Sequence, residues 1–272
     1  MKFNLGLCQM MGSFEKSQSM AKAREMVCKA ASQGAHIVAL PEMWNCPYSN
    51  DYFKKYAEPA NGKTVEFMSN LAAQNGIYLI GGSIPELDGD KVYNTSFSFD
   101  PAGSLIGKHQ KVHLFDIDVK GGIRFMESDT LTAGENITML PTKFGTIGVA
   151  ICYDVRFPEL FRKMTLAGAK LIVLPAAFNL TTGPAHWELT MRARALDNQI
   201  YFAAVSPARD LSGPYQAYGG TCIISPWGDV KAMADEKEQI ILKEIDFDYV
   251  DEIRDQLPLL KHRREEIYSK PL

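Results

Sequence analysis

The chain has 272 residues, 46% of them hydrophobic and 22% charged, with a formal net charge of −3. Such a length buries a large core, and the mild acidity argues against a nucleic-acid partner, leaving small molecules as the expected one. Five cysteines, odd in number, unevenly spread and without a Cys-x-x-Cys pair, fit neither a disulfide framework nor a structural zinc site.

Residues 1–8 have no long apolar core and no small-residue cleavage site, so no signal peptide is expected. No apolar run approaches the roughly 18 residues that a membrane span needs. A soluble protein of a reducing compartment, the cytoplasm, is therefore expected.

In chain order, residues 3–9 read as a strand and 15–32 as an amphipathic helix stopped by Gly34. Residues 35–40 form a second strand broken by Pro41, a strand-helix-strand opening of the α/β kind. Glu42 follows directly, just past a strand's carboxyl end, where α/β proteins place functional groups. Its neighbours Met43, Trp44, Cys46, Pro47 and Tyr48 are too apolar for a surface turn and read as a pocket wall. Residues 64–75 form a helix ended by Gly76. Strands 77–84 and 92–99 are joined through Asp88-Gly89-Asp90, a hairpin signal.

A turn at Asp100-Pro101-Ala102-Gly103 leads to a short strand through Ile106. His109 and His113 have a helical metal-site spacing, but the segment is flanked by strands and lacks a third ligand, so no metal is expected. Lys111 between them reads by itself as a surface lysine. Residues 121–128 read as an ordered loop carrying Arg124 and Glu127.

The run Thr146-Ile147-Gly148-Val149-Ala150-Ile151 is a buried strand ending at Cys152, with a helix beginning at Arg156 or Pro158 and Asp154 available as its cap. A cysteine at such an elbow stands at the sheet's edge, and the helix dipole would favour its thiolate. The alternative is a small buried hydrophobe, as most free cysteines are. Strand Leu171–Pro175 repeats the strand-then-proline pattern of Leu40-Pro41. A helix over 186–198, strands at 201–206, 218–225, 231–234 and 240–245, a helix over 249–256 and a charged tail from 263 complete the chain. There is no repeat and no low-complexity linker, which predicts one compact domain.

Leu40-Pro41-Glu42, Lys111-Val112-His113-Leu114-Phe115 and Ala150-Ile151-Cys152-Tyr153-Asp154-Val155-Arg156-Phe157-Pro158-Glu159 together resemble, in the same order, the three motifs of the nitrilase (carbon–nitrogen hydrolase) superfamily. The likeness spans nearly the whole chain. It implies a four-layer α-β-β-α sandwich of two mixed sheets flanked by helices. It also implies a homodimer, with residues 257–272 as candidate dimer contacts, and a small amide as the substrate, without cofactor or metal.

By that resemblance Cys152 is the nucleophile, Glu42 the proton shuttle and Lys111, with the backbone N–H of Tyr153, the oxyanion holder. Glu127 corresponds to a second, supporting glutamate. Arg156 either clamps a substrate carboxylate or pairs with Glu159 one turn on. Residues 177–189, Arg192, Arg194, Asp197-Asn198-Gln199 and Ser206-Pro207-Ala208-Arg209-Asp210 resemble the omega-amidase branch in particular. That branch cleaves the terminal amide of 2-oxoglutaramate and 2-oxosuccinamate, and Tyr48, Phe178 and Thr182 would line the pocket. Rival readings are a deaminated glutathione amidase, an N-carbamoyl amidase, and a non-catalytic thiol redox or binding protein with Cys46 as the resolving cysteine. Cys8, Cys28 and Cys222 read as core residues.

Overall fold

Strands buried on both faces read as unbroken apolar runs, and Ile37–Ala39, Leu171–Pro175, Tyr201–Val205 and Cys222–Ile224 are of that kind. The computed structural model describes residues 1–121, 124–213 and 215–270. Its first half runs β1 (Lys2–Gln9), α1 (Lys16–Ser32), β2 (Ile37–Ala39), α2 (Asn50–Tyr56), α3 (Lys63–Asn75), β3 (Tyr78–Ile80), β4 (Ile84–Asp88), β5 (Lys91–Phe99) and β6 (Leu105–Gln110). A ribbon of β7 (Asp116–Asp118) and β8 (Arg124–Met126) leads into a 3-10 turn at Glu127–Asp129. Then follow β9 (Thr138–Thr142), β10 (Gly145–Val149), a 3-10 turn at Cys152–Arg156, α4 (Pro158–Leu166), β11 (Leu171–Pro175) and α5 (Gly183–Asn198). The chain closes with β12 (Tyr201–Val205), β13 (Cys222–Ile224), β14 (Val230–Met233), β15 (Gln239–Asp246), α6 (Phe247–Gln256) and α7 (Glu265–Tyr268).

The first sheet has the order β15-β1-β2-β3-β5-β4, with β6 also paired to β5. The second has the order β14-β13-β12-β11-β10-β9. In each, three neighbouring strands are parallel and the flanking pairs antiparallel, so both sheets are mixed.

Side chains alternate across each strand, and that alternation divides the core into three layers. Phe3, Leu5, Leu7, Ile37 and Ala39 of the first sheet meet Ile147, Val149, Leu171, Val173, Tyr201, Ala203 and Val205 of the second. On the opposite face Val38 and Leu40 pack against Ala23, Val27 and Ala30 of α1 and Val65, Met68 and Leu71 of α3. Ile172, Leu174, Phe202 and Ala204 pack against Phe161 and Met164 of α4 and Trp187, Met191 and Ala195 of α5. Helix, sheet, sheet, helix is the four-layer sandwich expected.

Local differences from the expected elements have local causes. The strand expected over 77–84 is two strands, because the backbone turns at Gly81-Gly82 beneath the segment carrying Glu42. A Cβ at Gly82 (φ +63°) would lie 2.1 Å from the Pro41 carbonyl oxygen, so only glycine fits there. The loop expected over 121–128 is half strand, paired in β7–β8, and its Gly122 lies outside the described residues. Helix α5 starts at Gly183 rather than 186, with Pro184 in its first turn, a position where its missing N–H costs nothing. Helix α2, strand β9 and the short α7 within the charged tail have no strong periodicity and were not expected. No helix among the described residues is long and apolar enough to cross a membrane.

Candidate active site

Three loops at the carboxyl ends of strands converge between the sheets. Glu42 follows β2 through Leu40-Pro41, and the next residue, Met43, takes a left-handed conformation (φ +49°) with its N–H donating to Ser83 Oγ (3.1 Å). This bend turns the Glu42 side chain inward, where it is 1% exposed. Its Oε1 accepts from Lys111 Nζ (3.0 Å) and from Asn94 Nδ2 of β5 (2.8 Å), and its Oε2 accepts from the Ala177 N–H (2.8 Å).

Lys111 is the first residue after β6 and is fully buried. Its ammonium lies between two carboxylates, 3.0 Å from Glu42 and 2.9 Å from Glu127. The 3-10 turn after β8 carries Glu127, which is also fully buried. Glu127 accepts from the Tyr48 hydroxyl (2.6 Å) and, through Oε2, from the Phe115 N–H (2.7 Å). The Tyr48 hydroxyl also lies 3.4 Å from Glu42 Oε1, so one tyrosine spans both acids.

Cys152 closes the convergence from the second sheet. It is 3% exposed and has φ +44°, a left-handed backbone that is rare outside glycine and costs of order 1–3 kcal/mol. The strain is held by Asp154, whose carboxylate accepts from the Ile151 N–H (2.9 Å), the His113 N–H (2.9 Å) and His113 Nδ1 (2.8 Å), and which faces His109 Nε2 at 3.3 Å. The thiol lies in the field of the Glu42 carboxylate, whose Oε2 is held by the Ala177 N–H (2.8 Å).

Asp154 is thus not the cap of the following helix. It ties the Cys152 elbow to the segment that carries Lys111. Helix α4 begins at Pro158, capped by Phe157, and a separate 3-10 turn, Cys152–Arg156, stands between it and the strand. Burial, and then the Glu42 carboxylate, push the Cys152 thiol well above its ordinary range, with Lys111 opposing them. Both causes favour the neutral thiol over the thiolate.

Burial raises Glu42 above the usual carboxylate range, Lys111 pulls it down, and Glu127 pushes it up again. Burial by itself would lower Lys111, but Glu127 and Glu42 outweigh it and hold the ammonium charged. Buried charges of this kind survive only fully paired, and removing one partner costs roughly 3–5 kcal/mol.

On the other side of the elbow, Arg156 lies over the rings of Phe178 (5.1 Å) and Tyr153 (5.7 Å), and its guanidinium meets His186 Nδ1 at 3.3 Å. Among the described residues it forms no ion pair, so the alternative contact with Glu159 is not made. Phe178 is buried edge-on to Trp187 (5.2 Å), while the half-buried Thr182 gives its hydroxyl to Asn179 Oδ1 (3.3 Å). Tyr48 is buried, its ring tilted by 39° against that of Tyr215 with centroids 4.6 Å apart. The Tyr215 hydroxyl donates to the Ala177 carbonyl.

Asn94, Ala177, Tyr215 and the Asp154–His113 pair are site residues that sequence reasoning missed. Cys46 is a free, buried cysteine whose sulfur lies 4.0 Å from Met43 Sδ, and burial raises its pKa. Cys8 and Cys222 are buried core residues, and Cys28 is half-buried.

The carbon–nitrogen hydrolase family model matches residues 4–255. An omega-amidase NIT2 of Xenopus tropicalis is 51% identical over 268 residues, covering 98% of this chain and 97% of the relative. A chloroplastic omega-amidase of Arabidopsis thaliana is 47% identical over 98% of this chain and 74% of the relative. The crystal structure of Saccharomyces cerevisiae Nit3, a member of branch 10 of the nitrilase superfamily, superposes with a TM-score of 0.90 at 44% identity over 97% of each chain. With a family model across nearly its whole length, half-identical relatives and the same sandwich, the chain belongs to the carbon–nitrogen hydrolase family, the nitrilase superfamily.

Proposed function

We propose that this protein is an omega-amidase that hydrolyses the terminal amide of small omega-amido dicarboxylates, 2-oxoglutaramate and 2-oxosuccinamate, to the acid and ammonia. The observation that carries this reading is the burial together of Glu42, Lys111 and Cys152, with the lysine 3.0 Å from the Glu42 carboxylate. Beside these stands an arginine with no carboxylate partner among the described residues. The omega-amidase relatives support the substrate class.

In this mechanism Glu42 takes the Cys152 proton as the sulfur attacks the amide carbonyl. Lys111 Nζ and the Tyr153 N–H hold the oxyanion, and each such donor contributes roughly 3–4 kcal/mol in comparable acyl transfers. Glu42 then returns the proton to the amide nitrogen, the C–N bond breaks and ammonia leaves a thioester on Cys152. Water, giving its proton to Glu42, attacks the thioester, the C–S bond breaks and the thiol reforms. Glu127 keeps Lys111 in place, and Tyr48 steadies both glutamates. Arg156, above Phe178, receives the distal carboxylate, with Thr182 at the pocket's rim.

The same reading makes the enzyme a single-domain homodimer of a reducing compartment such as the cytoplasm. Five free cysteines support the compartment. The dimer is supported by Leu189 and Leu196, seven residues apart on one face of α5 and 69% and 43% exposed, beside the 49% exposed Trp227.

The test is ammonia release from a panel of 2-oxoglutaramate, 2-oxosuccinamate, deaminated glutathione, an N-carbamoyl amino acid and a nitrile. Turnover fastest on the two oxo-acid amides is expected. Preference for any other member overturns the assignment.

A further inference from the structure

Glu42 lines a cavity of about 80 Å³ together with Tyr48, Ala177, Tyr215, Gly12 and Asp210. Of the reacting groups only Glu42 lines it: Lys111 and Cys152, like Tyr153, Arg156, Phe178, Thr182 and His186, contribute nothing to its wall among the described residues. A cavity that holds one water needs roughly 10–15 Å³, so this one has room for several.

Its chemistry is selective. Three methionines, Trp44 and two prolines supply apolar wall, no lysine or arginine lines it, and the carboxylate of Asp210 stands at it. The carboxylate of an oxo-acid amide would meet like charge and, among the described residues, no cation there, whereas a small neutral molecule meets neither penalty. The carboxylate at the floor is the group that must accept the proton of the hydrolytic water.

We propose that this cavity is the binding site and entry route of the hydrolytic water, separate from the Arg156 side that takes the acid. The inference rests on the thioester reading above. While the acyl group occupies the Arg156 side, a water in the cavity touches Glu42. It adds its oxygen to the thioester carbonyl, passes its proton to Glu42, and the departing Cys152 thiolate takes that proton as the C–S bond breaks. The acid then leaves by the side from which the amide entered.

Two variants narrow the cavity without touching the reacting groups. A Cβ at Gly12 meets only the Trp44 carbonyl oxygen, at 3.6 Å, so Gly12→Leu is accommodated at the rim. Ala208→Leu fills it from the wall. In rapid-quench experiments each should keep the ammonia burst, near one per active site and within twofold of the parent rate. The steady state should fall about tenfold, with the acyl-enzyme accumulating by intact mass. Slowed burst in the folded variants would mean that the amide itself enters through the cavity. Unchanged steady state would mean that water arrives elsewhere. Either overturns the inference, whereas absence of any acyl-enzyme even in the parent protein would sink the thioester reading instead.

A second measurement needs no variant. O-ethylhydroxylamine and aminooxyacetate are nucleophiles of similar size, one neutral and one anionic. Partitioning of the acyl-enzyme should favour the neutral compound at least tenfold over the anion. Equal capture of the two overturns the proposal.

Discussion

At Cys152 the left-handed backbone, the buried thiol and the Glu42 carboxylate form one device: the turn puts the sulfur against a base whose own proton affinity burial has raised. Cys152→Ala should abolish ammonia release and leave the melting temperature within a few degrees, since it removes one buried atom and no ion-pair partner. Activity surviving that change rules out the covalent route. The rate should rise with pH as Glu42 loses its proton in the free enzyme, so the acid limb of kcat/KM should lie above the ordinary glutamate value of about 4.3. An acid limb at or below that value removes Glu42 as the base. Arg156→Ala should raise KM for the oxo-acid amides at least tenfold while changing a small neutral amide less than twofold. Equal effects on both remove the carboxylate clamp.

Between elements the decisive joint is Asp154, which links the segment after β6 to the elbow after β10. Burial would raise its carboxyl, but hydrogen bonds from His109, His113 and the Ile151 N–H outweigh it and hold the group far below its usual range. A depressed folded pKa contributes stability that is present above the unfolded value near 4 and is lost as pH falls through the folded one. Asp154→Asn should therefore lose about 2–4 kcal/mol of stability at neutral pH. The difference from the parent protein should shrink below about pH 4, as read from denaturant melts across pH. A constant difference across pH means that the carboxylate's charge contributes nothing. Gly76 is a simpler case: it ends α3 at φ +63° with nothing within 4 Å of a Cβ, so Gly76→Ala is pure backbone strain. It should cost about 1 kcal/mol, a few degrees of melting temperature.

For the molecule as a whole, the exposed apolar face of α5 predicts the assembly. Leu189→Glu should shift sedimentation from dimer to monomer, and a monomeric parent protein would end the dimer reading. The individual strands and helices were legible because buried strands and amphipathic helices leave periodic apolar signals that need no partner to be read, whereas the sandwich came from the likeness of the motifs, since the order of elements is compatible with it without selecting it. The three motif segments were legible for a different reason, since each couples a strand end to a chemically distinctive residue. The double glycine at 81-82 shows where periodicity fails. An apolar run looked continuous, yet close approach of the Pro41 backbone required a break.

The sequence by itself determined the periods of the strands and helices and, through the likeness of its three motifs, the family, its layer order and which glutamate, lysine and cysteine to watch, because apolar period and residue type are local properties. Only the tertiary structure decided that Asn94, Ala177, Tyr215 and Asp154 surround them, that Arg156 lacks an acid partner among the described residues, and that burial raises the proton affinity of the thiol. Those facts depend on desolvation and on distances between segments as far apart as Glu42 and Ala177, and a linear chain carries neither.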